Sequence, residues 1–277
     1  MRVRKRQLAS KFFADRGPHL AAMVAYFALL SFVPLTFLAL SLLGLVHRAD
    51  ASDFLVKELS RAFPSTSIAS IIKLVHQVQD NAATLGIIGA VALLWSSLSL
   101  FSALESAFNI VYGLPNRSFL RGKGLAATLM VATITTLFAS LVVGAVGVEV
   151  MKREAPGFVA NSIVAYVVTI AVSLAGVFVF LLAVYWLLPT TDVAIHDALP
   201  GALLASIVLE ASFQVVPIFV RLADVNPVLR VLGGPAILLL WLYVMANVIV
   251  FGAELNWWQA ERRELRREQP APLEGLA

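Results

Sequence analysis

The sequence contains no cysteine, and only 14% of its 277 residues are charged. The absence of cysteine excludes disulfides, thiolate metal sites and a cysteine nucleophile. The four histidines are scattered without H-x-x-x-H or H-E-x-x-H spacing, and no Walker lysine motif, G-x-G-x-x-G or G-x-S-x-G occurs. We therefore predict no metal site, no cofactor and no catalytic residues, and we expect that the chain is not an enzyme.

What the sequence has in excess is apolar residues, which make up 60% of it against about 45–50% in a soluble domain. They lie in long runs with almost no charge, and a bilayer core of about 30 Å needs roughly 20 helical residues. Barrel strands would be shorter and alternate in polarity, so the pattern predicts an all-α, polytopic membrane protein. The six predicted transmembrane helices are Leu20–Val46, Ala82–Leu104, Gly124–Val148, Ser162–Leu188, Ala198–Val220 and Val231–Ala253.

The distribution of Lys and Arg predicts the orientation, because loops rich in these residues stay in the cytoplasm. With both termini inside, the cytoplasmic segments hold 13 of them and the opposite side holds eight. The expected location is a bacterial inner membrane, crossed several times, with both ends cytoplasmic. Residues 1–19 form a basic N-terminal segment, residues 20–258 the transmembrane domain and residues 259–277 a C-terminal tail.

The only long connection is Arg48–Asn81, between the first two spans. Apolar residues recur there at spacings of three and four on both sides of Pro64, which predicts two amphipathic helices lying over the outer surface of the bundle. Together with the Arg-rich tails, this segment motivates one functional hypothesis, a scaffold for cell-envelope machinery.

Glu210 is the only charged residue of the fifth predicted span and lies near its middle. An ionisable side chain in a membrane is costly, which makes it a functional candidate. Gln214 follows one turn later on the same face, and Pro217 nearly one turn beyond. The stripe predicts a proton-carrying or substrate-binding group facing an internal cavity. A structural glutamate that joins helices is the alternative, and the sequence leaves both open.

Polar residues near the end of the sixth span are further candidates for the wall of this cavity. Asn247 and Glu254 share a helix face, and Asn256 follows closely. A hydrated or salt-bridged helix end is the favoured interpretation of Glu254.

The first span contributes the remaining candidates, because Tyr26, Ser31 and Pro34 interrupt its aliphatic stretch. Pro34 removes a backbone donor and frees a carbonyl one turn earlier. Broken helices often border substrate sites, although a simple kink is the favoured interpretation.

Three stretches resemble one family: A-Y-F-A-L-L-S-F-V-P-L from Ala25, L-W-S-S from Leu94 followed by F-S-A-L-E-S-A-F-N-I-V-Y-G, and L-L-P-T-T, A-L-P-G-A and G-A-E-L-N in the second half. Together they resemble the YihY/BrkB family of bacterial inner-membrane proteins over about residues 21–258. The resemblance implies six helices with cytoplasmic termini, and the family name carries an association with virulence. The matching positions are Tyr26, Ser31, Pro34, Trp95, Asn109, Tyr112, Pro189, Thr190, Pro200, Gly201, Glu210, Gly252, Glu254 and Asn256.

Family members were formerly labelled ribonuclease BN, but phosphodiester cleavage needs clustered metal ligands that this sequence lacks. A ribonuclease is therefore the least favoured hypothesis, and we expect no nucleic acid partner. The leading hypothesis is a transporter-like protein that moves a lipid, an amphipathic molecule or a small solute without ATP hydrolysis. Membrane lipids are the expected partners, and the oligomeric state, including a homo-oligomer, stays open.

Overall fold

The computed structural model describes residues 8–45, 82–118, 120–133, 162–225 and 227–268, which form helices and short loops with no strand among them. The all-α prediction is confirmed for this part of the chain. Helices suit these sequences because a backbone in lipid must satisfy its polar groups within its own segment. The helices are α1 (Leu8–Ala14), α2 (Gly17–Leu45), α3 (Ala82–Tyr112), α4 (residues 120–133), α5 (Ser162–Leu187), α6 (Ile195–Val225) and α7 (Pro227–Glu268).

Several of these helices can cross a membrane. By length and composition, the described residues contain four such segments: Val91–Tyr112, Ile170–Leu187, Ile195–Val215 and Ala236–Leu265. In α2, Gly17–Phe32 is a shorter apolar helix. The later part of the third predicted span, the amphipathic helices predicted at Arg48–Asn81 and the last nine residues lie outside the described residues. The count of six spans therefore stays a prediction.

The helices pack into one bundle in which α2 contacts α3 and α7, and α6 contacts α5 and α7. Small residues dominate the buried contacts and let the helix backbones approach closely. Fully buried examples are Ala21, Ala107, Ala198, Ala202, Ala205 and Ala253. The short helix α1 lies against α2 and α7.

Segments from all parts of the chain meet at one end of this bundle, which we call the loop end. Helix α3 stops there in a Schellman motif: Gly113 has a left-handed φ of 69°, and the Leu114 amide donates to the Asn109 carbonyl over 2.7 Å. The next loop meets the loop after α5, where the Thr190 hydroxyl donates to the Pro115 carbonyl over 2.8 Å. The loop end comprises residues 8–16, 113–118, 188–197 and 254–268. These are segments predicted to lie in the cytoplasm, and that location stays a prediction.

Candidate functional site

The first polar site, the mid-bundle cluster, consists of Ser173, Glu210 and Gln214. Glu210 is the sixteenth of the 31 residues of α6. Its Oε2 accepts a hydrogen bond from the Ser173 hydroxyl of α5 over 2.7 Å, and its Oε1 accepts one from the Gln214 amide over 3.3 Å. Both carboxylate oxygens therefore have donors, one of which comes from a neighbouring helix.

Two polar groups of the mid-bundle cluster are exposed on the side of the bundle. Glu210 itself is buried, with 7% of its surface exposed, whereas Ser173 and Gln214 are exposed. Hydroxyl and amide groups thus lie on the outer surface of α5 and α6, directly beside a buried carboxylate. A polar patch of this kind on the outer surface of a helix bundle can bind the polar part of an amphipathic molecule.

A second site, the ammonium cluster, lies at the loop end and is built around Lys11 of α1. The Lys11 ammonium donates to Glu254 Oε2 of α7 and to the Val111 carbonyl of α3, each over 2.8 Å. It also forms a short ion pair with Asp15, one turn later in the chain. The ring of Trp257 completes the surroundings, with its centroid 4.1 Å from the nitrogen.

Both partners of the central ion pair of the ammonium cluster are buried, since Lys11 is 5% exposed and Glu254 is not exposed at all. Charges can be buried in this way only when they are paired and hydrogen-bonded. The salt bridge expected of Glu254 is present, but Glu254 does not lie at a helix end, because α7 continues to Glu268. Glu254 Oε1 is fully buried and has no hydrogen-bond partner among the described residues.

A third set of residues joins α7 to α5 and α6 near the loop end. The Gly201 amide donates to Asn256 Oδ1 over 2.6 Å, and the Tyr185 hydroxyl of α5 donates to the Ile249 carbonyl over 2.7 Å. A side chain at Gly201 would meet the Gly252 carbonyl, so the two helices touch backbone to backbone. Asn256 therefore links α7 to α6 by a hydrogen bond in this structure.

Arg117 joins the two loops of the loop end. Its guanidinium donates to Glu105 Oε1 over 3.3 Å, to the Pro189 carbonyl over 2.6 Å, and to the carbonyls of Leu187 and Leu188. These carbonyls belong to the end of α5, where helical partners run out.

Asn109 is fully buried beside this loop junction. Its Oδ1 accepts from the Thr190 amide over 2.9 Å and from the Thr190 hydroxyl over 2.6 Å. Its amide nitrogen donates to Asn116 over 3.1 Å. Two of the positions matched to the family, Asn109 and Thr190, are thus direct partners.

The structure places four of the predicted site residues in two separate regions. Glu210 and Gln214 touch, whereas Glu254 and Asn256 lie toward the loop end. At about 1.5 Å per residue, Glu210 is roughly 13 Å along α6 from Gly201, the partner of Asn256. That all of these residues line one cavity stays a prediction.

The other predicted residues belong to neither of these regions. Ser31 and Asn247 are bonded to carbonyls of their own helices, those of Phe27 and Tyr243. Tyr26 is 53% exposed. Pro34 is buried inside α2; Pro217 lies in α6, and its side chain is outside the described residues.

Sequence reasoning missed Lys11, Asp15 and Ser173. Asp15 carried a signal, because it is the only acidic residue before Asp50 and lies four residues after Lys11. Ser173 carried none, since serines are common in membrane helices as packing residues.

Comparison with known proteins identifies the family. The model of the family described as "Virulence factor BrkB" matches residues 8–274. The chain belongs to the BrkB family. This BrkB chain is 25% identical to the ribonuclease-like protein YfkH of Bacillus subtilis over 96% of its own length and 98% of that protein. The resemblance seen in the sequence is confirmed.

Two relatives of this BrkB chain are named UPF0761 membrane proteins. The one from Cronobacter sakazakii is 29% identical, over 91% of this chain and 87% of the relative. The one from Psychrobacter is 24% identical, and the chain spans only about half of its length, 47%. No solved structure matches the chain.

The word ribonuclease in the name of the Bacillus protein describes that protein and is not carried over to this chain. Within the described residues of this chain, no group of three or more His, Cys, Asp or Glu side chains could hold a metal ion.

Proposed function

We propose that this BrkB protein moves, or helps to move, a lipid or another amphipathic molecule across a bacterial inner membrane without ATP hydrolysis. The single observation that carries the proposal is the mid-bundle cluster. A buried carboxylate at the centre of α6 is bonded to Ser173 and Gln214, two groups that are exposed on the side of the bundle.

The lateral position of these groups supports an amphipathic cargo over a purely soluble one. A polar headgroup that slides past α5 and α6 could exchange hydrogen bonds with Ser173 and Gln214, while its chains stay in the bilayer. Glu210 would supply the charge-assisted hydrogen bond, which is roughly twice as strong as a neutral one. The proposal includes six spans with both termini in the cytoplasm.

The proposal is tested by the movement of fluorescent phospholipids between leaflets of proteoliposomes that contain the purified protein. We expect Glu210→Ala to slow the movement about tenfold, because a hydrogen bond to a charged group contributes about 1.5–3 kcal/mol. Glu210→Gln removes the charge and keeps a hydrogen-bonding group, and we expect a loss there as well because the proposed contact with the headgroup is charge-assisted.

A serine pair provides the matched control. Ser173→Ala removes a donor to Glu210 and is expected to slow transport, whereas the Ser99 hydroxyl donates to the Trp95 carbonyl of its own helix over 3.0 Å, so Ser99→Ala should not. Unchanged transport in both Glu210 variants, or no lipid movement by the unmodified protein, would refute the proposal.

A further inference from the structure

The ammonium cluster has the composition of a binding site. A primary ammonium has three N–H donors, and the Lys11 nitrogen directs them to Asp15, the Val111 carbonyl and Glu254. These acceptors come from three parts of the chain, α1 with its turn, α3 and α7. The Trp257 ring adds a cation–π contact to the same nitrogen.

The acceptors also exceed what Lys11 alone can use. Two carboxylates face one ammonium, and Glu254 Oε1 is buried without a hydrogen-bond partner among the described residues. The Val111 carbonyl lies in the last turn of α3, where the helix dipole adds partial negative charge. The cluster therefore has more acceptor atoms than Lys11 can use, at a buried position.

Lys11, whose ammonium fills the cluster, belongs to α1, the shortest of the described helices. Helix α1 has seven residues and is held by Lys11 and by Phe12, whose ring makes an edge contact with Phe251 at 5.6 Å. Phe13, the next residue, is 68% exposed. A helix of only seven residues can leave its position as a unit when another cation replaces its lysine.

We propose that Asp15, the Val111 carbonyl, Glu254 and the Trp257 ring form a binding site for a primary ammonium group, with Lys11 as its intramolecular occupant. A primary amine from outside the chain, either an aminophospholipid headgroup or a small soluble amine, replaces Lys11 there and releases α1. The proposal goes beyond the transport function, because it uses neither Glu210 nor its partners.

Chemical rescue tests the site directly. Lys11→Ala removes three methylenes and the ammonium, the atoms of propylammonium, and leaves buried carboxylates without a cation. We expect a lower unfolding temperature in detergent, and we expect propylammonium to restore most of the loss in a saturable manner, since a ligand of the folded state stabilises it by mass action. Tetramethylammonium, which has no N–H donor, and sodium at equal concentration should not.

The control for this rescue is Lys11→Ala combined with Glu254→Gln. Without the Glu254 charge, the response to propylammonium should be lost. Failure of propylammonium to rescue Lys11→Ala, or equal rescue by tetramethylammonium, overturns the proposal. Neither result bears on lipid movement by the Glu210 variants, so the two proposals fail independently.

Cysteine labelling tests replacement in a chain that keeps Lys11 and has no natural cysteine. Phe12 is buried and Phe13 is exposed, so maleimide should label Phe12→Cys more slowly than Phe13→Cys. Phe12→Cys also removes the ring contact with Phe251, so each variant is compared with itself in the absence of amine. Both variants are reconstituted into phosphatidylcholine–phosphatidylglycerol vesicles, with phosphatidylethanolamine or propylammonium added in separate arms.

We expect a primary amine to raise the labelling rate of Phe12→Cys several-fold and to leave that of Phe13→Cys unchanged. A response to phosphatidylethanolamine alone identifies a lipid headgroup as the ligand, and a response to propylammonium alone identifies a soluble amine. Unchanged labelling of Phe12→Cys in both arms overturns the proposal, and labelling keeps this test available if Lys11→Ala does not fold.

Discussion

Buried charges at the loop end are paired with residues distant in the chain. Glu105 is bonded to Arg117, and Glu254 is bonded to Lys11, 243 residues away. Replacing a buried ion pair with apolar residues is often neutral, whereas removing one partner costs about 3–5 kcal/mol because the other charge is left uncompensated. The effect of a substitution at these positions on stability therefore depends on whether the partner charge is removed as well.

Arg117→Ala is expected to lower the free energy of unfolding by about 3 kcal/mol, because it strands the buried Glu105 carboxylate and frees the last carbonyls of α5. Arg117→Lys should recover only part of this, since lysine lacks the planar fork that reaches several acceptors. The measurement is the unfolding temperature in detergent.

The double variant Arg117→Ala with Glu105→Gln serves as the control for this experiment. It should be more stable than Arg117→Ala alone, because no uncompensated charge remains. A double variant that is as unstable as the single one would show that the carbonyl contacts, and not the ion pair, dominate at this position.

Single residues were predictable where the sequence context made them unusual. Glu210 stood out as a charge within an apolar run, and the structure gives it partners in Ser173 and Gln214. Lys11 did not stand out, because it is one of six basic residues in the first 16 positions and those were attributed to topology. Its role comes from tertiary contacts with α3 and α7, which no local pattern encodes.

Helices were predictable because apolar length is a strong signal, but apolar length marks the span and not the whole helix. The sixth predicted span stops at Ala253, and α7 continues beyond it to Glu268. At about 1.5 Å per residue, its 42 residues extend roughly 63 Å, about twice the hydrocarbon thickness. Hydropathy marks where lipid contact ends, and the charged residues beyond it keep good helix propensity.

Gly201→Ala is expected to destabilise the α6–α7 pair by about 1–3 kcal/mol, the usual cost of overpacking. The added methyl would meet the Gly252 carbonyl and the Asn256 side chain, and a backbone atom cannot turn aside as a flexible side chain can. The measurement is the unfolding temperature of the purified protein.

Gly176→Ala in α5 is the matched control, because a methyl there would meet nothing within 4 Å. It should be neutral or stabilising by up to about 1 kcal/mol, since alanine favours a helix over glycine. Equal destabilisation by both substitutions would show that the close approach of α6 and α7 contributes nothing specific.

At the scale of the whole molecule, the contacts of the loop end bear on the predicted number of spans. The segments after α3, before α6 and at the end of α7 contact one another there: Thr190 is bonded to Pro115, and Arg263 to Asp197 over 2.5 Å. Helix α1 joins them through Lys11. If these segments lie on one side of a membrane, an even number of crossings separates each from the next, as the prediction of six spans requires.

The cysteine-free sequence allows this topology to be mapped with single cysteines and an impermeant maleimide. We expect Asn116→Cys, Asp192→Cys and Glu264→Cys to be labelled only from the cytoplasmic side, because all three belong to the loop end. Six spans further require that Asp53→Cys and Lys152→Cys be labelled only from the opposite side. Labelling of Lys152→Cys from the cytoplasm would mean that neither the third nor the fourth predicted span crosses the membrane, which would leave the four spans of α2, α3, α6 and α7.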